Sequence, residues 1–169
     1  MIRTSAAISL ILLAFAAAAC SHSSSGTYRS APSPTSAAAS EAALAVADLT
    51  NVERTRAGLA ALSVNARLNT AAQLQADQLA ALQVLEHEVP NGLYPTPLDR
   101  LGAAGYQWQA YGENLASGYP SASGAMTGWM NSAGHRANIL NSTFSDIGTA
   151  YVVDATGRPY YVQVFGSPL

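Results

Sequence analysis

The chain has one cysteine, no lysine and few charges of either sign. One cysteine cannot form a disulfide within the chain, so a folded domain must be held together by packing alone. Charged residues make up 11% of the 169 residues, well below the roughly 25% that is usual in soluble domains. The formal charge of -2 excludes the strongly basic surface on which nucleic-acid binding depends, so we predict no nucleic-acid partner.

An apolar run near the start of the chain predicts export. Arg3 precedes an almost unbroken apolar stretch at 8–19, which is shorter than the roughly 20 residues of a membrane-spanning helix. Ala17 and Ala19 supply the small residues that a signal peptidase needs at its cleavage site. We therefore predict that residues 1–19 are a signal peptide.

Cys20 directly follows the predicted cleavage site. The stretch before it resembles a bacterial lipobox, although Ala17 stands where leucine is usual. We predict that Cys20 is lipidated and anchors the protein in the cell envelope, on the outer membrane of a cell that has two. The alternative is ordinary cleavage after Ala19, which would release a secreted protein with a free thiol.

Residues 20–40 are predicted to be a tether that carries the lipid and the domain. Serine, alanine and proline dominate this segment, and such a composition buries too little apolar surface to offset the entropy of ordering. The folded domain is therefore expected to span residues 41–169, and we expect it to be a monomer.

Apolar periodicity and turn signals predict an α+β domain. Helices are predicted at 41–57, 66–85, 98–104, 123–130 and 133–140, and strands at 111–116, 146–153 and 160–165. The predicted helix N-caps are Ser40, Asn65 and Ser132. A turn at 155–158 joins the last two strands as a hairpin, which favours helices layered around an antiparallel sheet.

His87, Glu113 and His135 are the candidate site residues. Two imidazoles and one carboxylate can bind a divalent transition metal such as Zn. The three residues are widely separated in the chain, so spacing alone leaves open that they are unrelated. A serine nucleophile near His135 is the other candidate, but a helix cap at Ser132 and a turn at Ser142 explain those residues more simply.

Several ordered motifs carry a family resemblance. The chain has YGENLA at 111–116, GWMNSAGHRANILN at 128–141 and DIG at 146–148. These motifs resemble those of the CAP superfamily, which includes cysteine-rich secretory proteins, venom antigen 5, plant pathogenesis-related proteins and bacterial SCP-like (sperm-coating-protein-like) domains. The resemblance covers about residues 41–166.

The resemblance implies an α-β-α sandwich with a central antiparallel sheet. It also implies a cleft lined by two histidines and two acidic residues, which takes a divalent metal in the family. His87, Glu113 and His135 match three of those positions, whereas Asn131 or Ser132 stands at the fourth. A site with one carboxylate fewer carries less negative charge, so we expect weaker metal binding.

The remaining motif residues have structural interpretations. Gly112 and Asn114 are expected to form a turn into a strand, and Trp129 to anchor the core. Asn138 and Asn141 are expected to satisfy backbone groups of loops.

Three functions are compatible with these features. The first is an envelope or secreted binding module whose ligand is a lipid, a small hydrophobic molecule or an envelope protein, as the resemblance implies. The second is a metal-dependent hydrolase that uses the same cleft. The third is a purely structural domain in which the histidines and Glu113 only stabilise the fold.

Overall fold

The computed structural model describes residues 36–169. The predicted signal peptide, Cys20 and most of the predicted tether lie outside these residues. Within them the chain forms five helices and four strands. The helices are α1 (Ser36–Arg56), α2 (Ala66–Leu82), α3 (Pro97–Ala103), α4 (Ala122–Asn131) and α5 (Ala133–Ile139). The strands are β1 (Ser63–Val64), β2 (Trp108–Ser117), β3 (Asp146–Val153) and β4 (Pro159–Pro168).

Helix α1 begins earlier than the sequence predicts. It starts at Ser36, and Ser40 lies inside it with its hydroxyl donating to the Ser36 carbonyl at 2.9 Å instead of capping the helix. The reason is the alanine content of residues 37–39, because alanine has the highest helix propensity of all residues. The helix therefore includes the last five residues of the predicted tether.

The ends of the other helices follow local backbone chemistry. Asn65 caps α2 as predicted, and its side chain accepts a hydrogen bond from the Arg67 N–H. The helix ends at Leu82 rather than at residue 85 because Gln83 adopts the left-handed conformation, with φ of 55°. Ser132 occupies the N-cap position of α5 as predicted, but its side chain makes no capping hydrogen bond.

The sheet has the strand order β1-β3-β4-β2. Strands β3 and β4 form the predicted antiparallel hairpin, and β2 pairs antiparallel with β4 on the other side. Strand β1 is not predicted from the sequence; it pairs parallel with Asp146 and Ile147 of β3. A two-residue strand is too short to show an alternating pattern, and it makes the otherwise antiparallel sheet mixed.

Alternate residues of the strands build two apolar cores, one on each face of the sheet. Leu115, Ala150 and Val162 pack with residues of α2 and α3. Ala116 and Phe165 pack with residues of α1, α4 and α5. Because both faces of the sheet are covered by helices, the fold is the expected α-β-α sandwich.

Two close contacts fix the layers. Gly148 of β3 lies directly against the backbone of α2, so that a Cβ at this position would overlap backbone atoms of Leu68 and Asn69. Arg54 of α1 is buried, and its guanidinium donates to the carbonyls of Ala60, Ile139, Asn141 and Phe144. Arg54 thereby ties α1 to the end of α5, the helix that carries His135.

Over residues 36–169, none of the helices combines the length and the apolar character needed to cross a membrane.

Candidate functional site

A buried ion pair between Glu113 and Arg100 forms the base of the site. The Arg100 guanidinium donates to both carboxylate oxygens of Glu113, at 3.3 and 3.0 Å. The Arg100 side chain is 1% exposed and that of Glu113 is 5% exposed. Arg100 also donates to the backbone carbonyls of His87 and Tyr94. One cation thus neutralises Glu113 and holds the loop that contains His87.

His87 lies at the surface end of this pair. Its Nδ1 is 2.8 Å from Glu113 Oε1, and its side chain is 53% exposed. A carboxylate that pairs with Arg100 only accepts hydrogen bonds, so the His87 Nδ1 carries the hydrogen. The hydrogen bond that His87 donates to Glu113 raises the pKa of His87, although partial burial opposes the rise. The arrangement leaves the second ring nitrogen, Nε2, without a fixed partner among residues 36–169.

Polar side chains on the opposite face of β2 position α5. Asn114 is the cross-strand neighbour of Gln163 and donates to its side-chain oxygen at 2.9 Å and to the His135 carbonyl at 3.0 Å. Gln163 in turn donates to Thr50 of α1 at 2.6 Å. Asn138 donates to the Glu113 carbonyl and to the Asn114 side chain. This chain of amides fixes α5 on the edge of β2.

His135 is held through its backbone, and its imidazole makes no hydrogen bond within the described part of the chain. Burial lowers the pKa of His135, and the charge of His87 lowers it further. Ser132 and Ser142 make no hydrogen bond to the imidazole, so the structure shows no serine–histidine pair there.

The segments that carry the two histidines contact the edge strand β2 from opposite faces. Successive side chains of a strand point to opposite faces, and Glu113 reaches His87 on the α3 side while Asn114 reaches the His135 backbone on the α5 side. Residues far apart in the chain are therefore brought to one edge of the sheet. Within residues 36–169, no three His, Cys, Asp or Glu side chains are grouped closely enough to hold a metal together.

Other motif residues have different roles from those expected. Gly112 and Asn114 lie inside β2 rather than in a turn. Gly112 is needed because a Cβ there would press on the Phe144 ring and on the Asn138 side chain. Trp129 is confirmed as a core residue, 1% exposed, and its Nε1 donates to the Leu115 carbonyl at 3.0 Å.

The sequence analysis misses the partner of Glu113. Arg100 lies in a short helix next to Leu101 and gives no local sign of burial, since an arginine in this position is usually solvated. The capping box of Thr96 and Asp99 predicts where α3 begins. It does not predict which carboxylate Arg100 reaches, because that depends on how α3 packs against β2.

Comparison with known proteins agrees with the fold and the motifs. Residues 47–165 match the family model described as CAP, cysteine-rich secretory protein family. The chain is 36% identical over 126 residues to the uncharacterized protein YkwD of Bacillus subtilis, a match that covers 75% of this chain and 47% of that protein. A second B. subtilis relative, the uncharacterized membrane protein YlbC, is 34% identical over 120 residues, or 71% of this chain and 33% of that protein.

Solved structures give the same result. An extracellular protein containing an SCP domain from Bacillus anthracis superposes with a TM-score of 0.69 at 30% identity, covering 76% of this chain and 41% of that chain. An outer surface protein of Borrelia burgdorferi superposes with a TM-score of 0.67 at 21% identity, covering 73% of this chain and 90% of that chain, which shows the shared fold. This chain spans less than half the length of its B. subtilis relatives.

The three-layer fold, the polar residues on both faces of β2 and a family match over residues 47–165 lead to one conclusion: this chain belongs to the CAP family.

Proposed function

We propose that the domain is an exported binding module, and that its ligand site is the edge of β2 between His87 and His135. The observation that carries the proposal is the 2.8 Å contact between His87 Nδ1 and buried Glu113. It fixes one nitrogen of a half-exposed ring and leaves the other available to a ligand. His135 offers a second imidazole that makes no hydrogen bond within residues 36–169, and we propose that it faces the same ligand.

His87 and His135 could supply two nitrogen ligands to a divalent metal, but Glu113 is not free to supply an oxygen ligand. Metal-binding histidines commonly donate their other ring N–H to a carboxylate, which orients the ring, and His87 and Glu113 have this arrangement. His87 and His135 would then bind Zn directly, while Glu113 would support His87 from behind. Both Glu113 oxygens already accept hydrogen bonds from Arg100. We therefore expect weak metal binding through two nitrogens, with the remaining positions open to water or to a ligand group.

Binding is favoured over hydrolysis by the environment of Glu113. A hydrolase that uses a metal-bound water needs a general base beside it. Glu113, the carboxylate expected for that role, is 9% exposed and engaged by Arg100 and His87. The third hypothesis, a purely structural network, explains the buried Arg100–Glu113 pair. It does not explain why the half-exposed His87 ring lies at the end of that pair.

The proposed location is the cell envelope. The similar B. anthracis protein is described as extracellular and contains an SCP domain, which supports export of this chain. Lipidation of Cys20 would anchor the domain, and an envelope protein or a lipid-like small molecule would be its partner. Labelling cells with radioactive palmitate tests the anchor: the wild type should incorporate label and Cys20→Ala should not. Equal labelling of both proteins would contradict it.

Calorimetric titration with Zn tests the site. The full chain carrying Cys20→Ser, which removes the only thiol, should bind Zn, and His87→Ala and His135→Ala should each weaken binding about tenfold or more, the size of effect that loss of metal-site groups has. His22→Ala, in the predicted tether, is the control and should not change the titration. Equal affinities for the chain with and without His87 and His135 would rule out a shared site.

A further inference from the structure

The opposite edge of the sheet has a strand position that residues 36–169 leave empty. Strand β1 pairs only with Asp146 and Ile147 of β3. At Asn65 the chain leaves the sheet and enters α2. Beyond that point β3 continues to Val153 with β4 on one side and no strand on the other within residues 36–169. The position next to Thr149–Val153 therefore belongs to the sheet by geometry but holds no strand.

The hydrogen bonds of β3 show which backbone groups face this position. The carbonyls of Ser145 and Ile147 accept from Ser63 and Asn65 of the β1 side. Since backbone groups of alternate residues point to the same edge of a strand, those of Thr149, Tyr151 and Val153 point outward as well. No strand in residues 36–169 pairs with them there.

The Asn69 side chain makes one of the hydrogen bonds that a neighbouring strand would make with β3. The Asn69 side-chain oxygen accepts from the Thr149 N–H at 2.9 Å, as the carbonyl of a neighbouring strand would. Neither the Thr149 carbonyl nor the two backbone groups of Tyr151 have a protein partner at this edge within residues 36–169. These groups form a short ladder that is ready to accept another strand.

A groove of about 670 Å³ runs along the same edge, between α1 and α2. The α1 wall has mainly small side chains, and the α2 wall has amides and a hydroxyl. Among the described residues, no charged side chain lines the groove. Its lining residues are Ser36, Ala39, Ser40, Ala43, Leu44, Asn69, Thr70, Gln73, Thr149, Tyr151, Val152 and Val153.

We propose that this groove binds an extended, uncharged peptide segment of a partner protein, which adds to the edge of β3 as a strand. Addition of a strand to an open edge is a common mode of peptide recognition, in which backbone hydrogen bonds supply affinity. The free edge from Thr149 to Val153 has room for about five residues at roughly 3.3 Å each. The absence of charge in the lining selects a neutral segment, since a charged side chain would lose hydration there without gaining a partner.

The shape of the groove favours a single peptide strand over other occupants. Helices α1 and α2 both line it, so the sheet edge of a second copy would meet them before reaching β3. A lipid tail would leave the outward backbone groups of Tyr151 without hydrogen bonds, at a cost that a peptide avoids. This site is at the opposite edge of the sheet from β2, and it is independent of the function proposed for His87 and His135.

Selection from a random decapeptide library displayed on phage, with the full chain as bait, supplies the probe. A selected peptide titrated into isotope-labelled protein should shift the amide signals of Tyr151 and Val153 in a saturable way. It should also slow hydrogen exchange of the Tyr151 amide about tenfold or more. Ala39→Leu, which fills the α1 wall, should abolish binding, whereas Ala37→Leu at an exposed position of the same turn that does not line the groove should not.

Two further comparisons separate the possible outcomes. A selected peptide that carries N-methyl groups on alternate residues should bind at least tenfold more weakly, because it cannot form one side of the ladder. His87→Ala should leave peptide binding unchanged. The proposal is overturned if selection yields no enriched peptide, if the shifts map away from β3, or if Ala39→Leu or N-methylation leaves the affinity unchanged.

Discussion

Replacing Glu113 by Gln should destabilise the domain far more than its place in a ligand site suggests. The substitution keeps the size of the side chain and removes its charge. Arg100, 1% exposed, would retain hydrogen bonds to the carbonyls of His87 and Tyr94 but would lose its only charged partner among residues 36–169. Removal of one member of a buried ion pair typically costs about 3–5 kcal/mol. Domains of this kind have total stabilities of about 5–15 kcal/mol, so a large part of the stability is at risk.

The chain provides a matched control for this substitution. Glu53 pairs with Arg56 on the surface of α1 at 2.6 Å, and the side chains are 22% and 70% exposed. Because exposed pairs contribute about 0–1 kcal/mol, Glu53→Gln should change the free energy of unfolding by less than about 1 kcal/mol. Both variants also remove one negative charge, so the comparison isolates the effect of burial.

Urea unfolding followed by tryptophan fluorescence measures the difference. The midpoint should fall strongly for Glu113→Gln with little change in slope, which marks a loss of stability without a change in the unfolded state. Adding Arg100→Met to Glu113→Gln should recover part of the loss, because the uncompensated cation is then gone. Two results would contradict this prediction: a Glu113→Gln variant that is as stable as Glu53→Gln, or a double variant that is no more stable than Glu113→Gln alone.

Three further predictions concern other contacts. Gly148→Ala should prevent stable folding or cost more than about 2 kcal/mol in thermal unfolding, because a Cβ would overlap the α2 backbone. Gly134→Ala in α5 is the control, since that glycine has open space around it. The control should be neutral or stabilising by up to about 1 kcal/mol. Arg54→Met should cost about 2–4 kcal/mol in urea unfolding, because four backbone carbonyls lose their donor. In NMR titration the pKa of His87 should lie above its ordinary value of about 6.5 and should fall in Glu113→Gln; unchanged values would contradict the hydrogen bond.

The direction of the His87 pKa shift also predicts a pH dependence of stability. A raised pKa means that the folded state holds the proton more tightly than the unfolded state. The contribution of His87 is therefore complete below the unfolded pKa and is lost as pH rises through the folded pKa. The lowered pKa of His135 acts in the opposite sense, with a contribution that is present above its unfolded pKa and lost as pH falls through its folded pKa. Stability curves of His87→Gln and His135→Gln should separate the two contributions.

The sequence predicts the elements well because those signals are local. The N-cap at Asn65 and the hairpin follow from periodicity and turn chemistry, and the structure confirms them. The order of the layers is what the family resemblance implies, and the roles of His87 and His135 stay predictions. The polar contacts that position the site are not local. Asn114 meets Gln163 because of the register between β2 and β4, and a register cannot be determined from either strand alone. Strand β1 escapes prediction for a similar reason, since its pairing with β3 and not its own two residues defines it.

The proposed function divides the site residues into a supporting part and a part that would face a ligand. Arg100 and Glu113 are buried and neutralise each other, so they contribute mainly to the position of the loop and of β2. His87 is half exposed and His135 makes no side-chain hydrogen bond within residues 36–169, so these rings are what a ligand would meet. A bound metal would gain little attraction from Glu113, because the adjacent positive charge of Arg100 cancels the charge of the carboxylate.

We therefore expect that Zn alone binds weakly. A ligand that carries its own carboxylate should strengthen Zn binding, because it supplies the negative charge that Glu113 does not offer to the metal. Zn titrations with and without acetate at constant ionic strength test this prediction. Acetate should tighten Zn binding in the wild type and should have no effect in His87→Ala. Equal Zn affinity of the wild type with and without acetate would contradict the prediction.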